Sequence, residues 1–154
     1  METIVIYDSA FGNTEQIAQA IGKAIQGEVK VVRPESLNLS DRKAPDLLII
    51  GSPTQGGKAL KAVQELLSTI PESFVKATNV SAFDTRITSK WVGIFGFAAP
   101  KIASSLEHKG GKLVMPAEGF FVKASKGPLK EGELERAGTW AKALQDSLIS
   151  TKGK

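Results

Sequence analysis

The sequence predicts an α/β domain, a parallel sheet with helices on both faces. Three observations carry that expectation. Short apolar runs alternate with amphipathic helical patterns along the 154 residues, the signature of parallel strands joined by right-handed crossovers. One run, Asp46-Leu47-Leu48-Ile49-Ile50-Gly51, shows no polar alternation, as suits a parallel strand covered on both faces. And Ile4-Val5-Ile6-Tyr7 passes through Asp8 directly into Ser9-Ala10-Phe11-Gly12-Asn13-Thr14, after which a helical pattern begins. A buried strand feeding a hydroxyl-, Gly- and Asn-containing loop at a helix start is an anion site in the making, because the first-turn N–H groups and the helix dipole both favour negative charge. An ordinary tight turn capped by Thr14 would read the same way, and these residues alone leave both open.

In chain order, Ile17, Ala18, Ile21, Ala24 and Ile25 recur at helical spacing and predict a helix over Thr14 to Gln26, with Glu15 in its first turn and Gly27 as its stop. Val29 to Arg33 reads as a second strand closed by Pro34. Glu35 to Pro45 is polar, a connection with at most one helical turn and with Leu37 and Leu39 tucked inward. The buried run at 46–51 ends in a second loop, Ser52-Pro53-Thr54-Gln55-Gly56-Gly57. The helix after it turns Leu60, Val63, Leu66, Leu67 and Ile70 inward and ends at Pro71. Asn79 to Asp84 is a fourth strand. A helix over Ala98 to Lys109 buries Ala99, Ile102, Ala103 and Leu106 and stops at Gly110-Gly111. Lys112 to Met115 starts a fifth strand that resumes at Gly119 to Lys123 after Pro116. Ser125-Lys126-Gly127-Pro128 is a loop, and the last helix, Gly132 to Ile149, buries Leu134, Ala137, Trp140, Ala141, Leu144 and Leu148. No internal repeat or boundary divides the chain: residues 1–150 form one domain and 151–154 a frayed end.

Composition narrows the chemistry. With no cysteine and a single histidine, His108, the chain has no disulfide, thiolate metal site or cysteine nucleophile, and no His-rich metal cluster. No apolar run approaches a membrane span and no signal peptide precedes the first strand, so the cytoplasm is the expected compartment. The net charge of +4 is spread along the chain without a basic stripe, which argues against nucleic acid. In an open sheet of this kind ligands bind beyond the carboxyl ends of the strands, near the switch point in strand order.

Taken together, the loops at those ends resemble the flavodoxin family. In that family the first loop reads hydroxyl-x-hydroxyl-Gly-x-Thr around the phosphate of FMN. Here it reads Ser9-Ala10-Phe11-Gly12-Asn13-Thr14, with Phe11 in place of the middle hydroxyl. Gly51-Ser52-Pro53-Thr54-Gln55-Gly56-Gly57 resembles the loop that flanks the isoalloxazine ring, and Phe83-Asp84-Thr85-Arg86 occupies the place of the third flavin loop. Gly96-Phe97-Ala98-Ala99 and Glu118-Gly119-Phe120-Phe121-Val122 also fit small members of the family. The resemblance covers essentially the whole chain. It implies a flavodoxin-like three-layer sandwich with a five-stranded parallel sheet in order 2-1-3-4-5, and FMN as cofactor.

The resemblance assigns phosphate binding to Ser9, Gly12, Asn13 and Thr14, with Ala10 and Phe11 in the same loop. Losing a hydroxyl at Phe11 keeps its backbone N–H, which carries much of a phosphate nest's affinity. Ser52, Pro53, Thr54, Gln55, Gly56 and Gly57 belong beside the ring, where glycines let a peptide approach closely and turn over. Phe83 points to the core, Asp84 belongs to the same loop, and Thr85 and Arg86 lie nearer the flavin edge, with Arg86 either tuning the flavin or standing as a solvated rim cation. The second loop has no large aromatic, so the ring cover either is thinner or comes from Trp91, Phe95 or another chain, and Trp91 also reads as a half-buried packing residue. Asp8 and Asp84 fix loops rather than act as acids, and no residue is assigned catalysis or metal. Lys58, Arg86, Lys90 and Lys126 fall at the flavin end, either as a basic rim that docks an acidic redox partner or as scattered solubilising charge. Familiar members are strongly acidic, so this chain's charge departs from them. The function implied is a low-potential one-electron carrier between redox proteins, acting as a monomer or weak homo-oligomer. An NAD(P)H-dependent FMN or quinone reductase is the enzymatic alternative, and a flavin-free interaction module the non-redox one. A phosphorylated receiver needs an acidic cluster after the first strand and an aspartate after the third, where this chain has Asp8-Ser9 and Ser52.

Overall fold

A computed structural model of the chain describes residues 1–88 and 96–152. Strands β1 (Glu2–Tyr7), β2 (Glu28–Val32), β3 (Leu47–Pro53), β4 (Asn79–Ile87), β5 (Lys112–Leu113) and β6 (Glu118–Val122) alternate with helices. These are α1 (Asn13–Ala24), α2 (Lys61–Thr69), α3 (Glu72–Val75), α4 (Ala98–His108) and α5 (Glu133–Lys152). The strand order is β2-β1-β3-β4-β5, with β6 also paired to β4, and every pairing between these strands is parallel. The fifth position is one broken strand: β5 runs beside Asn79 and Val80 at the start of β4, and β6 beside Phe83 to Ile87 at its end. Pro116, which has no N–H to give a ladder, lies in the break.

The pleat sorts the strand side chains onto two cores. Ile4, Ile6, Leu48, Ile50, Val80 and Ala82 pack with α2, α3 and α4. Val5, Tyr7, Leu47, Ile49 and Phe83 pack with α1 and α5. Period-two alternation therefore sends Asp84 and Arg86 toward α4 and Thr85 toward α1. That division decides what each of them can touch.

Four sequence expectations change. β4 extends three residues past Asp84, because Thr85, Arg86 and Ile87 pair with β6. Between β2 and β3 the chain forms two 3-10 turns, Pro34–Ser36 and Leu39–Asp41, rather than at most one helical turn; Leu37 and Leu39 do lean on the core. Pro71 ends α2 but also stands at the N-cap of α3, which buries Phe74 and Val75. Leu134 is 45% exposed, because Glu133 takes the inward place on the first turn of α5. Ala137, Trp140, Ala141, Leu144 and Leu148 are buried on that face as predicted.

Candidate functional site

At the carboxyl end of β1 the chain turns through the first loop into α1. Gly12, the N-cap, has φ +95°, and a Cβ there would meet nothing within 4 Å. A glycine is thus needed for the backbone conformation and not for space. Being a glycine, the N-cap residue supplies no side-chain cap. Thr14 lies inside the first turn and its hydroxyl meets the Thr85 hydroxyl at 2.7 Å, so the capped-turn reading falls. Ser9 Oγ accepts from Gly12 N–H at 3.0 Å and, more weakly, from Glu15 N–H at 3.4 Å. Among the described residues, the N–H groups of Ala10, Phe11, Asn13 and Thr14 have no hydrogen-bond partner. The Asn13 amide side chain, only 8% exposed, has none either.

The acids beside this loop are already engaged. Asp8 Oδ1 accepts from Ser9 N–H at 2.9 Å and from Arg33 at 2.8 Å. Arg33 also donates to Glu15 at 3.2 Å, and Glu15 accepts from the Tyr7 hydroxyl at 3.1 Å. Burial, then the Glu15 carboxylate, holds the Tyr7 phenol above its ordinary range. Asp8 is a loop brace, as its place after β1 suggested.

The second loop is a tight turn. Gln55 N–H donates to Lys58 C=O at 2.9 Å and Lys58 N–H returns the bond at 3.0 Å, with Gly56 and Gly57 between them at φ +57° and +78°. Positive φ at both central residues is the type I′ arrangement, which glycine adopts without strain. Ser52 is fully buried; its Oγ accepts from Leu60 N–H and donates to Pro53 C=O. It closes the loop from beneath.

The N-terminus of α4 is keyed to the second loop and to β4. Thr54 Oγ1 accepts from Ala98 N–H at 2.9 Å, and Asp84 Oδ2 from Ala99 N–H at 2.9 Å. Lys101 Nζ donates to Gly57 C=O at 2.6 Å. Arg86 returns to Asp84 through two bonds, of 2.7 and 2.8 Å. Its guanidinium lies 3.7 Å from the Phe97 ring centroid, and it also fills the space a side chain at Gly119 would need.

These elements enclose a cleft of about 540 Å³, within the range of small-molecule sites. Of the predicted residues, Ser9, Ala10, Phe11, Asn13, Thr14, Pro53, Thr54, Gln55, Gly56, Gly57, Thr85 and Arg86 line it. Phe83, Asp84, Ser52 and Gly12 do not. Phe83 is fully buried on the other face, edge-on to Phe120 and Trp140 at 6.2 and 6.4 Å, because its odd position in β4 faces α5. Asp84, also fully buried, faces α4 instead. Ile87, Val122 and Ser125 line the cleft as well; sequence reasoning passed over them. Ile87 and Val122 became legible only once the β4–β6 register placed them opposite each other. Of the proposed rim, Lys58 and Lys126 are exposed and Arg86 is paired. Lys90, Trp91 and Phe95 lie outside the described residues.

Residues 5–140 match the flavodoxin family model. The chain belongs to the flavodoxin family. FMN is the cofactor of that family, whose members transfer electrons. A flavodoxin of Megasphaera elsdenii is 30% identical over 95 residues, covering 60% of this chain and 61% of that protein. The matched stretch therefore spans less than two thirds of that relative. Among solved structures, a flavodoxin from the domain Archaea superposes with a TM-score of 0.81 at 22% identity, over 97% of this chain and 99% of that one. Flavodoxin 2 of Bacillus cereus gives 0.78 at 23%, over 95% and 99%. Both are likenesses of fold.

The donor set of this flavodoxin fits FMN. A phosphate monoester wants several N–H donors and few charges, and the first loop offers unpartnered N–H groups with a buried amide beside them. A ring wants a flat, largely apolar slot, and Pro53, Gly56, Gly57, Ile87 and Val122 line the rest of the cleft.

Proposed function

We propose that this flavodoxin holds FMN in the cleft between its first and second loops and passes single electrons between redox proteins. The first loop would hold the phosphate, Pro53 to Gly57 would flank the ring, and Thr85 and Arg86 would line the cleft from β4. Bound there, FMN supplies the redox chemistry; the protein binds it, orients it and limits water around it. The observation that carries the reading is the set of unpartnered N–H groups at the start of α1. Asp8 and Asp84, at the carboxyl ends of β1 and β4, are both spent on hydrogen bonds and ion pairs. Among the described residues no Asp, Glu or His lines the cleft, which suits a site that binds and orients a flavin for electron transfer.

The test is a reductive titration of the purified protein. A carrier should be yellow and take up electrons in two resolved one-electron steps, with negligible NAD(P)H oxidation. Rapid steady-state oxidation of NAD(P)H with a quinone acceptor would instead establish a reductase, and a colourless protein that takes up no flavin would remove the cofactor. The partner proposed is a protein with an acidic docking face, met by the exposed Lys58 that follows the second loop. Its electron-transfer rate should fall as salt rises. Among the described residues no helix is long and apolar enough to cross a membrane, and the cytoplasm is the compartment proposed.

A further inference from the structure

We infer that Lys126 is a phosphate-directed cation, placed by the loop after β6 to complete the first loop around FMN. The inference rests on the proposed FMN site and reassigns this lysine from the partner to the cofactor.

The loop is built to hold its tip in place. Val122 and Leu129 form an antiparallel bridge. Lys123 N–H donates to Pro128 C=O and Gly127 N–H to Ala124 C=O, each at 2.9 Å. The turn that these bonds close carries Ser125 and Lys126 at its tip, and Ser125 lines the cleft. The same turn backs onto α1: a Cβ on Gly127 would lie 2.5 Å from Asn13 Oδ1 and 2.8 Å from its Nδ2. Glycine suits this turn because its φ is +101° and because the absent side chain leaves room for the amide of Asn13, one of the unpartnered donors. Lys126 Nζ then lies 5.9 Å from the centroid of the Phe11 ring, on the loop assigned to the phosphate.

Local charge gives that cation a purpose. Asp8 and Glu15 share a single guanidinium, Arg33, so the carboxylates beside the first loop outnumber its cations by one. A phosphate adds further negative charge. The helix dipole and N–H groups offset part of this, and Phe11 has removed one hydroxyl donor. An ammonium held over Phe11 offsets the remainder from the side where the hydroxyl is missing. Lys126 is exposed, so its contribution is modest and screened by salt.

Riboflavin, which has the ring and ribityl chain but no phosphate, isolates the effect. Apoprotein is titrated with FMN and with riboflavin, following flavin fluorescence, at low and high salt. The expected result for Lys126→Gln is a loss of about fivefold in FMN affinity at low salt, shrinking at high salt, with riboflavin affinity unchanged. Lys126→Arg should retain wild-type affinity, and Lys142→Gln, which removes an equal charge from the exposed side of α5, should leave the FMN-to-riboflavin ratio alone. Tight FMN binding that Lys126→Gln does not alter would overturn the inference and leave the FMN site standing. Equal losses for both flavins would overturn it too, by placing the lysine's effect on the ring or on the loop itself. A wild-type apoprotein that binds neither flavin would overturn the site and the inference together.

Discussion

Arg86 reaches the cleft with its charge already met by Asp84. Both carboxylate oxygens accept from the guanidinium, at 2.7 and 2.8 Å, while one also accepts from Ala99 N–H. The pair therefore presents the cleft with a dipole where the sequence alone offered a free cation. Asp84→Asn should unmask the guanidinium. Taking a separation of about 10 Å and an effective dielectric of about 20, one charge contributes roughly 1.7 kcal/mol, or on the order of 70 mV for one electron. Both midpoint potentials should move upward, since a positive charge favours the reduced flavin. Breaking a buried pair also costs about 3 kcal/mol of stability, readable by urea unfolding of the same variant. Unmoved potentials in a folded D84N protein would show that the pair exerts no field at the flavin.

Gly12 separates backbone from space. Since an added Cβ meets nothing within 4 Å, the penalty for Gly12→Val is conformational, about 1–3 kcal/mol for holding a non-glycine residue in a sparsely populated region. The loop should relieve that strain by turning, which misdirects its N–H groups. FMN affinity should fall by about tenfold or more, riboflavin affinity much less. Equal affinities for wild type and variant in a fluorescence titration would remove the first loop from the phosphate site.

The sequence was most legible where one residue type serves both local and global structure. The run at 47–50 could only be a covered strand, and Gly12 with Thr14 fixed the loop that follows β1. What resisted reading depended on register. Nothing in Phe83-Asp84-Thr85-Arg86 shows that β4 continues to Ile87; that follows from β6 returning beside it after the break at Pro116. Once the strand continues, alternation sends Phe83 to the α5 core, Asp84 to α4 and Thr85 to Thr14. Ser125 was unreadable for a related reason, since its place depends on the turn packed against Asn13. Leu134 failed because an apolar residue at helical spacing was preferred over Glu133, whose inward position is fixed by Phe121 and Arg136 in another part of the chain.

Thr54 links the second loop to α4, and removing its hydroxyl should be felt in both. Thr54→Val leaves Ala98 N–H without its acceptor at the first turn of the helix, a loss comparable to a helix cap, about 1 kcal/mol. The amide of Ala98 should exchange faster with solvent, and FMN affinity should drop because Pro53 to Gly57 lose one of their anchors. Lys101→Met removes another, at Gly57. If Ala98 exchange is unchanged in T54V, the helix end finds another acceptor and the link is not structural.

Glu133 sets the acid limb of stability. Its carboxylate accepts from Phe121 N–H at 2.7 Å and from Arg136 at 2.7 and 2.9 Å, while Arg136 also reaches Glu118 at 3.0 Å. The hydrogen bond from Arg136 is the main reason that Glu133 titrates below the ordinary value of 4.5, against the opposing effect of burial. A carboxylate whose folded value is depressed binds fewer protons folded than unfolded. Its contribution is therefore complete above 4.5 and lost as pH falls through the lower folded value. Glu133→Gln keeps the shape but exchanges charged hydrogen bonds for neutral ones, costing about 1.5 kcal/mol or more near neutral pH. Urea unfolding across the acid range should show wild type and E133Q converging as pH falls, with the variant's curve the flatter. Parallel curves would mean that another group governs acid unfolding and that the tie between α5 and β6 does not depend on this charge.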